Sequence, residues 1–152
     1  MRYQRPRSGI YATVNRSEYE ANSYPHEGRV MLFSRSTDNP EPDIFRWNAE
    51  FNAWLATVQT TQCDRLVEVT TRADYQGLVC QVISIGADGS VGLYYLGDEK
   101  ATAAERGFVQ IDPGTWAKTV SIYDLRRYRE HHSDLLFDDW RQATQRENQP
   151  LA

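Results

Sequence analysis

Few residues of the chain have the types and spacing that chemistry requires. His131 and His132 are adjacent within a predicted helix, where neighbouring side chains point about 100° apart, so the pair would not chelate one metal ion as an i, i+4 pair does. Asp138 and Asp139 form a second pair, but no other cluster of ligand residues accompanies them. We therefore expect no metal site and no cofactor, and we interpret the two histidines as a solvated helix end.

Motifs for catalysis and phosphate binding are also absent from the sequence. The segment Gly86-Ala87-Asp88-Gly89 follows a predicted strand but leads into another strand, so no helix N-terminus would receive a phosphate. There is no Gly-x-Ser-x-Gly nucleophile elbow. Cys63 and Cys80 lack metal-ligand spacing and cannot build a disulfide framework, so we expect two buried, reduced and inert thiols. The sequence predicts no catalytic residue and therefore a protein that is not an enzyme.

Length and charge narrow the class of protein further. The 152 residues suit one domain, and 17 Lys and Arg against 21 Asp and Glu give a net charge of -4. An acidic balance disfavours nucleic-acid binding, which needs clustered positive charge. No apolar run approaches the roughly 20 residues that span a bilayer, and no apolar run follows the basic segment 1–7, as a secretory signal would require. We therefore expect a cytoplasmic protein that binds no membrane.

The elements that position the remaining candidates are predicted to arise by internal duplication. Two segments, about 9–65 and 66–132, resemble each other in the same order, and the spacing between them grows only where loops would lie. The matched positions are Tyr19 with Tyr75, Gly28 with Gly89, Phe45 with Phe108, and Trp54 with Trp116. This order predicts two similar units related by a pseudo-two-fold, whose core depends on Leu32, Leu93, Phe108, Trp54 and Trp116.

Each repeat is predicted to consist mostly of short strands. Period-2 alternation and turn residues place these strands at 10–14, 19–24, 30–34, 44–47 and 54–58, and again at 66–70, 78–85, 91–96, 108–111 and 116–120. A turn is expected at Ala73-Asp74. The fold class is therefore α+β, mainly antiparallel β, with two tandem β-rich repeats each closed by a short helix.

Helices are predicted at three places. One begins at Ser121, which resembles an N-cap, and continues beyond Leu125 at helical spacing; its shorter counterpart lies near Thr61. A third lies between Gly97 and Gly107. Beyond these helices, 135–137 and Trp140 could dock on the core, whereas 141–152 has no apolar periodicity and is expected to fray.

Two acidic connections are the candidate partner-binding surfaces. They occupy equivalent positions in the two repeats, and they could frame one groove or lie at opposite ends. Pro40 and Pro42 stiffen the first connection, which would reduce the ordering entropy lost on binding. Trp47 and Trp140 are not required by the repeated scaffold, so either could be exposed. The candidate residues are Asp38, Glu41, Asp43 and Trp47 in the first connection, and Asp98, Glu99 and Glu105 in the second.

The chain resembles a known family at its glycines and aromatic residues. The runs that carry the resemblance are 9–21, Tyr24-Pro25, 28–34, Tyr75-Gln76-Gly77, 89–97 and 107–112. Over about residues 9 to 130 they are similar to a family of actinobacterial immunity proteins, small cytosolic antitoxins encoded beside polymorphic toxins. That family includes antitoxins of toxins of the tuberculosis-necrotizing-toxin type, which hydrolyse NAD. The resemblance carries no functional residue to this chain.

The resemblance implies an immunity protein that binds a cognate secreted toxin and blocks its active site. An NAD-hydrolysing toxin is one candidate for this partner. The acidic charge and the many aromatic residues agree with it, because such a protein needs a complementary surface and not catalytic groups. We expect a monomer when the protein is free of its toxin. The alternative is a small-ligand-binding protein or an enzyme that uses the groove between the two repeats.

Overall fold

The computed structural model describes residues 3–137 and 141. Within these residues the chain forms two compact units, and each unit is assembled from two stretches of chain. The first unit contains residues 9–68 and 132–137, and the second unit contains residues 3–8 and 69–131. Asp138, Asp139, Trp140 and the segment 142–152 lie outside the described residues.

The first unit is a sheet of short strands. Its elements are β1 (Gly9–Val14), β2 (Ser17–Ala21), β3 (Arg29–Ser34), β4 (Arg46–Asn48), β5 (Ala53–Gln59), a 3₁₀ turn (Thr60–Gln62) and the beginning of β6 (Arg65–Tyr75). The strand order is β4-β5-β3-β2-β1-β6, and the pairs among β1 to β5 are antiparallel. Strand β4 therefore lies at the edge.

The second unit is also built from short strands and contains one short helix. After β6 come β7 (Leu78–Ile85), β8 (Ser90–Tyr95), the helix α1 (Lys100–Glu105), β9 (Val109–Asp112), β10 (Thr115–Ser121), a 3₁₀ turn (Ile122–Asp124) and β11 (Leu125–Asp134). The strand order is β6-β7-β8-β10-β9, and β11 also pairs with β6. The mainly antiparallel β fold that the sequence predicts is therefore confirmed, as is the short helix between Gly97 and Gly107.

Several residue pairs in the strand ladders of the two units correspond. Val30 lies opposite Val58 across β3 and β5, and Val91 lies opposite Val120 across β8 and β10. The edge pairs correspond as well, because Trp47 lies opposite Trp54 while Gln110 lies opposite Trp116. Even the link into each 3₁₀ turn is the same: the amide of Thr60 donates to the Gly28 carbonyl (2.9 Å), and that of Ile122 donates to the Gly89 carbonyl (2.8 Å).

Each unit has its own apolar core, formed by the inward residues of its strands. The predicted core residues Leu32, Leu93 and Phe108 are buried, whereas Trp54 and Trp116 are only partly buried and pack against the two cores. The first core is built around Phe45, Leu32 and Leu66 and includes Leu135 from beyond β11. The second core includes the buried side chains of Tyr75, Val82, Val91, Leu93 and Phe108.

The helix predicted to begin at Ser121 and to continue through Leu125 to Tyr128 and Arg129 is wrong beyond its first turn. Ser121 does accept a hydrogen bond from the Tyr123 amide, but the 3₁₀ turn ends at Asp124 and β11 follows. The segment consists largely of helix formers, yet pairing with β6 prevails, because tertiary contacts override local propensity. His131 and His132 consequently lie on a strand and not at a helix end.

The turn predicted at Ala73-Asp74 is also wrong. Strand β6 continues through both residues to Tyr75, and the turn falls at Gln76 and Gly77, whose φ angles of 47° and 81° are left-handed. The match of Tyr19 with Tyr75 therefore fails, since Tyr19 lies in the second strand of its unit and Tyr75 in the first strand of the other. Among the described residues, no helix is long and apolar enough to cross a membrane.

Candidate protein-binding surface

The acidic loop, residues 37–43 between β3 and β4, is fixed to the first unit by Glu41. The Glu41 carboxylate accepts hydrogen bonds from the Tyr19 hydroxyl (2.9 Å) and from the Asn15 side-chain amide. Burial raises the pKa of Tyr19, and the hydrogen bond to Glu41 raises it further, so the phenol stays protonated and donates. Glu41, which the sequence places in the partner-binding set, therefore has an intramolecular role in this structure.

A second set of hydrogen bonds fixes the backbone of the acidic loop. The Asn39 side chain donates to the Phe45 carbonyl (3.1 Å) and accepts from the Glu41 amide (3.0 Å). The amides of Ile44 and Phe45 then donate to the Glu41 carbonyl at 3.1 and 3.0 Å. Phe45 is fully buried and its ring meets Tyr19 edge-on at 4.9 Å, so the loop ends on a packed residue of the core.

Asp38 and Asp43 are the two acids that this arrangement leaves for a partner. Both are exposed, and across residues 3–137 neither carboxylate has a hydrogen-bond or ion-pair partner. The loop therefore presents two negative charges from a backbone whose conformation is already set. Such charges steer association with a positively charged surface.

Trp47 is exposed yet held in place. It lies on edge strand β4 directly opposite Trp54, and the two rings meet edge-on with centroids 5.2 Å apart, while 49% of Trp47 remains accessible. The Trp54 indole N–H donates to the Ser36 carbonyl at the start of the acidic loop (3.1 Å), and the Arg46 guanidinium donates to the Pro42 carbonyl (2.6 Å). Hydrogen bonds thus connect the loop and the two-tryptophan pair, which together form one surface of the first unit.

The second set of predicted acids lies in the second unit. Asp98, Glu99 and Glu105 are all exposed, on the connection that contains α1. The Thr102 hydroxyl donates to the Glu99 carboxylate (3.2 Å), and the Glu99 amide donates to the Tyr95 hydroxyl (3.3 Å). This connection therefore has defined local structure, although its charges point to solvent.

Sequence reasoning missed an apolar patch on the outer face of the first sheet. Met31, Phe33, Phe51 and Leu55 line a shallow cavity of about 100 Å³ there, and Phe51 is 59% exposed. The sequence does indicate this patch, because residues 30–33 are apolar at four consecutive positions. A strand with one solvated face would instead alternate between apolar and polar residues. Val30 and Leu32 face the core, so the side chains of Met31 and Phe33 are left on the opposite face.

The thiols and histidines do not combine into a reactive site. Cys63 and Cys80 are buried and reduced, as predicted, and burial raises the pKa of Cys80 to about 11, with the Asp74 charge adding to the effect. The exposed His26 has the Glu27 carboxylate at 3.7 Å. Over the described part of the chain, no group of three His, Cys, Asp or Glu side chains could hold a metal ion.

Comparison with known proteins yields one match. A family model with the description "Uncharacterised conserved protein UCP033725" matches residues 6–133, which include nearly all the strands of both units. No curated protein and no solved structure is significantly similar to the chain.

Proposed function

Since the chain belongs to the family described as "Uncharacterised conserved protein UCP033725", whose description names no activity, we propose its function from the geometry. The protein is an immunity protein that binds a cognate secreted toxin and blocks its active site. It acts by binding and not by catalysis, requires no cofactor, and works in the cytoplasm as a monomer until it meets the toxin.

The observation that carries this proposal is the rigid acidic surface around Trp47. A half-exposed tryptophan beside two exposed carboxylates has the composition of a binding hot spot, in which aromatic anchors supply most of the affinity. Because Glu41, Asn39 and Phe45 already fix the loop, little conformational entropy is lost when a partner binds.

The charge of the surface indicates the kind of toxin cleft it fits. Asp38 and Asp43 match a cleft lined with cations, and Trp47 fits an apolar pocket beside them. An enzyme that binds NAD must accommodate a negatively charged pyrophosphate, so its cleft is expected to carry such cations. This reasoning and the family resemblance both favour an NAD-hydrolysing toxin.

We also propose that the chain arose by internal duplication. The shared strand order, the corresponding residue pairs and the equivalent links into the 3₁₀ turns support it. The two main stretches of the units, Gly9–Glu68 and Val69–His131, lie close to the predicted repeats 9–65 and 66–132. In this alignment the counterpart of Tyr19 is Cys80, since Ala12 pairs with Tyr19 as Ala73 pairs with Cys80.

A second candidate function, small-ligand binding, is favoured by a cavity in the second unit. The cavity has a volume of about 500 Å³, and Ile85, Ile122 and Leu125 contribute to the apolar part of its lining. Residues 3–7 also line it, and the Thr71 hydroxyl donates to the Arg7 carbonyl (2.9 Å). Its size is within the range of small-molecule sites, which runs from about 300 to 1,000 Å³.

Co-expression with the toxin encoded by the neighbouring gene tests the main proposal. We expect the wild-type chain to rescue growth, and Asp38→Lys/Asp43→Lys to bind the purified toxin at least about tenfold more weakly, with reduced salt dependence. The control Glu27→Lys/Asp64→Lys makes the same charge change at two other exposed acids of the same unit and should bind like wild type.

Two results would overturn the assignment. The first is equal loss of binding in the test variant and the control, which would mean that net charge and not this surface is recognised. The second is failure of the chain to rescue cells from any toxin encoded by a neighbouring gene, together with saturable binding of a metabolite. This combination would favour the ligand cavity instead.

A further inference from the structure

We propose that the free edge of β9 binds an extended, basic segment of the partner protein as an added strand. The inference rests on the proposed function only in taking that partner to be the toxin. All four residues of β9, Val109 to Asp112, are exposed, and within the described residues the strand pairs with β10 alone. Its outer edge therefore offers backbone N–H and C=O groups to solvent.

The chemistry of that edge specifies its occupant. Only another extended backbone presents donors and acceptors at the spacing that a strand edge requires, as in recognition by strand addition. The corresponding edge strand of the first unit is blunted, because β4 has only three residues and begins with Arg46, whose guanidinium bends back to the Pro42 carbonyl (2.6 Å). Strand β9 contains no proline and no basic residue.

The side chains of β9 indicate alternating apolar residues in the occupant. Val109 is 65% exposed and Ile111 54%, and they share one face of the sheet, since their positions are two residues apart. Val109, together with Ile83, Gly92 and Ala117, lines a shallow hollow of about 470 Å³ on this face. Apolar side chains at alternate positions of an added strand would continue this face.

The charge around β9 indicates a basic occupant. Residues 98–112 contain four exposed acids and two basic residues, Lys100 and Arg106, while the nearby Lys118 ammonium on β10 donates to groups of the second unit itself. The acids are Asp98, Glu99, Glu105 and Asp112. A second copy of the chain would bring the same excess of negative charge against this edge, whereas a segment with lysine or arginine would complement it.

The edge is fixed before any partner arrives. The Lys118 ammonium donates to the Arg106 carbonyl (2.6 Å) and to the Tyr75 hydroxyl (2.9 Å). These two hydrogen bonds fix the end of the connection that contains α1. The Phe108 amide donates to the Ala103 carbonyl (3.0 Å), and the Phe108 ring lies buried 6.0 Å from that of Tyr75. Strand addition here needs no rearrangement of the second unit.

A synthetic peptide tests the proposal on the full chain. The probe is a fluorescein-labelled ten-residue peptide of alternating valine and lysine, compared with the same peptide methylated at every backbone nitrogen and with a glutamate-for-lysine version. We expect saturable binding of the first peptide by fluorescence anisotropy and binding at least about tenfold weaker for the other two.

Protein variants test whether the peptide binds at the free edge of β9. Ile111→Lys should weaken binding of the valine-lysine peptide at least about tenfold, and Glu105→Lys should weaken it several-fold while leaving the strand itself unchanged. The matched control is Val79→Lys, which adds the same charge at a 39% exposed valine on the interior strand β7, and it should bind like wild type. If Ile111→Lys does not fold, Glu105→Lys and the three peptides still test whether the edge of β9 binds an added strand.

Several outcomes would overturn the inference. These are equal binding of the methylated peptide, a preference for the glutamate peptide, and the same loss in Val79→Lys as in Ile111→Lys. A dimer in analytical ultracentrifugation that Ile111→Lys abolishes would assign the edge to a second copy. Neutralisation of the toxin by Ile111→Lys with unchanged affinity would refute this inference and leave the proposed function intact. Conversely, peptide binding without any neutralised toxin would refute the proposed function alone.

Discussion

Truncation of Phe45 to alanine tests whether the acidic loop is fixed by the core. Phe45 has no exposed surface, and its ring packs edge-on against Tyr19 at 4.9 Å. Replacing a fully buried phenylalanine by alanine costs about 3–5 kcal/mol, from lost burial and the cavity left behind. In a chain of this size that loss lowers the melting temperature by about 10 °C.

The assay is urea unfolding followed by tryptophan fluorescence, with Phe51→Ala as the matched control. Phe51 lies in the same unit but is 59% exposed, so its truncation should cost less than about 0.5 kcal/mol. If Phe45→Ala also loses less than about 1 kcal/mol, Phe45 does not anchor the loop and the core does not hold the acidic surface in place. An unchanged toxin affinity in the folded Phe45→Ala protein would likewise show that loop rigidity contributes nothing to binding.

Three further predictions follow from individual contacts. Glu41→Gln should lower the pKa of Tyr19, because the Glu41 carboxylate raises it by hydrogen bonding and charge; ultraviolet titration of the phenol measures the change, and no change would refute the contact. Cys63 and Cys80 should react with a thiol reagent only after urea unfolding, because burial raises both pKa values, and rapid reaction of the native protein would contradict this. Hydrogen bonds from Ser90 lower the pKa of Asp88, so this carboxylate should stabilise the fold above its unfolded pKa and lose that effect as the pH falls through the folded value. Asp88→Asn should therefore be less stable than wild type at pH 7 and equal to it at pH 2, as measured by thermal unfolding at the two pH values.

Most strands could be predicted from the sequence because their signals are local. Residues 78–85 match β7 at both ends, and the Asp-Pro-Gly turn at 112–114 correctly separates β9 from β10. The secondary-structure predictions that failed concern segments whose conformation depends on pairing with residues far away in the sequence. The segment after Asp124 has the composition of a helix, but it pairs with β6, where Asp74 contacts Arg127 and Arg129 at 3.4 and 3.2 Å.

The candidate surface could be predicted only in part for the same reason. The sequence shows which residues of the loop are acidic, but not that Asn15 and Tyr19 engage Glu41 and leave Asp38 and Asp43 free. It also cannot show that Trp47 faces Trp54, because this contact depends on the pairing of β4 with β5. The register between two paired strands depends on their tertiary contacts, although the hydrophobic pattern of each strand limits which registers are possible.

The interleaving of the two units has a consequence for synthesis on the ribosome. The first unit contains residues 9–68, yet its core also includes Leu135, which leaves the exit tunnel only after the whole second unit has been translated. The nascent chain therefore holds an unfinished apolar core through most of its elongation, at about 5–20 residues per second. A ribosome that stops before residue 132 would release a chain in which the core beneath the acidic loop lacks Leu135, so only nearly full-length products would contain the complete first unit.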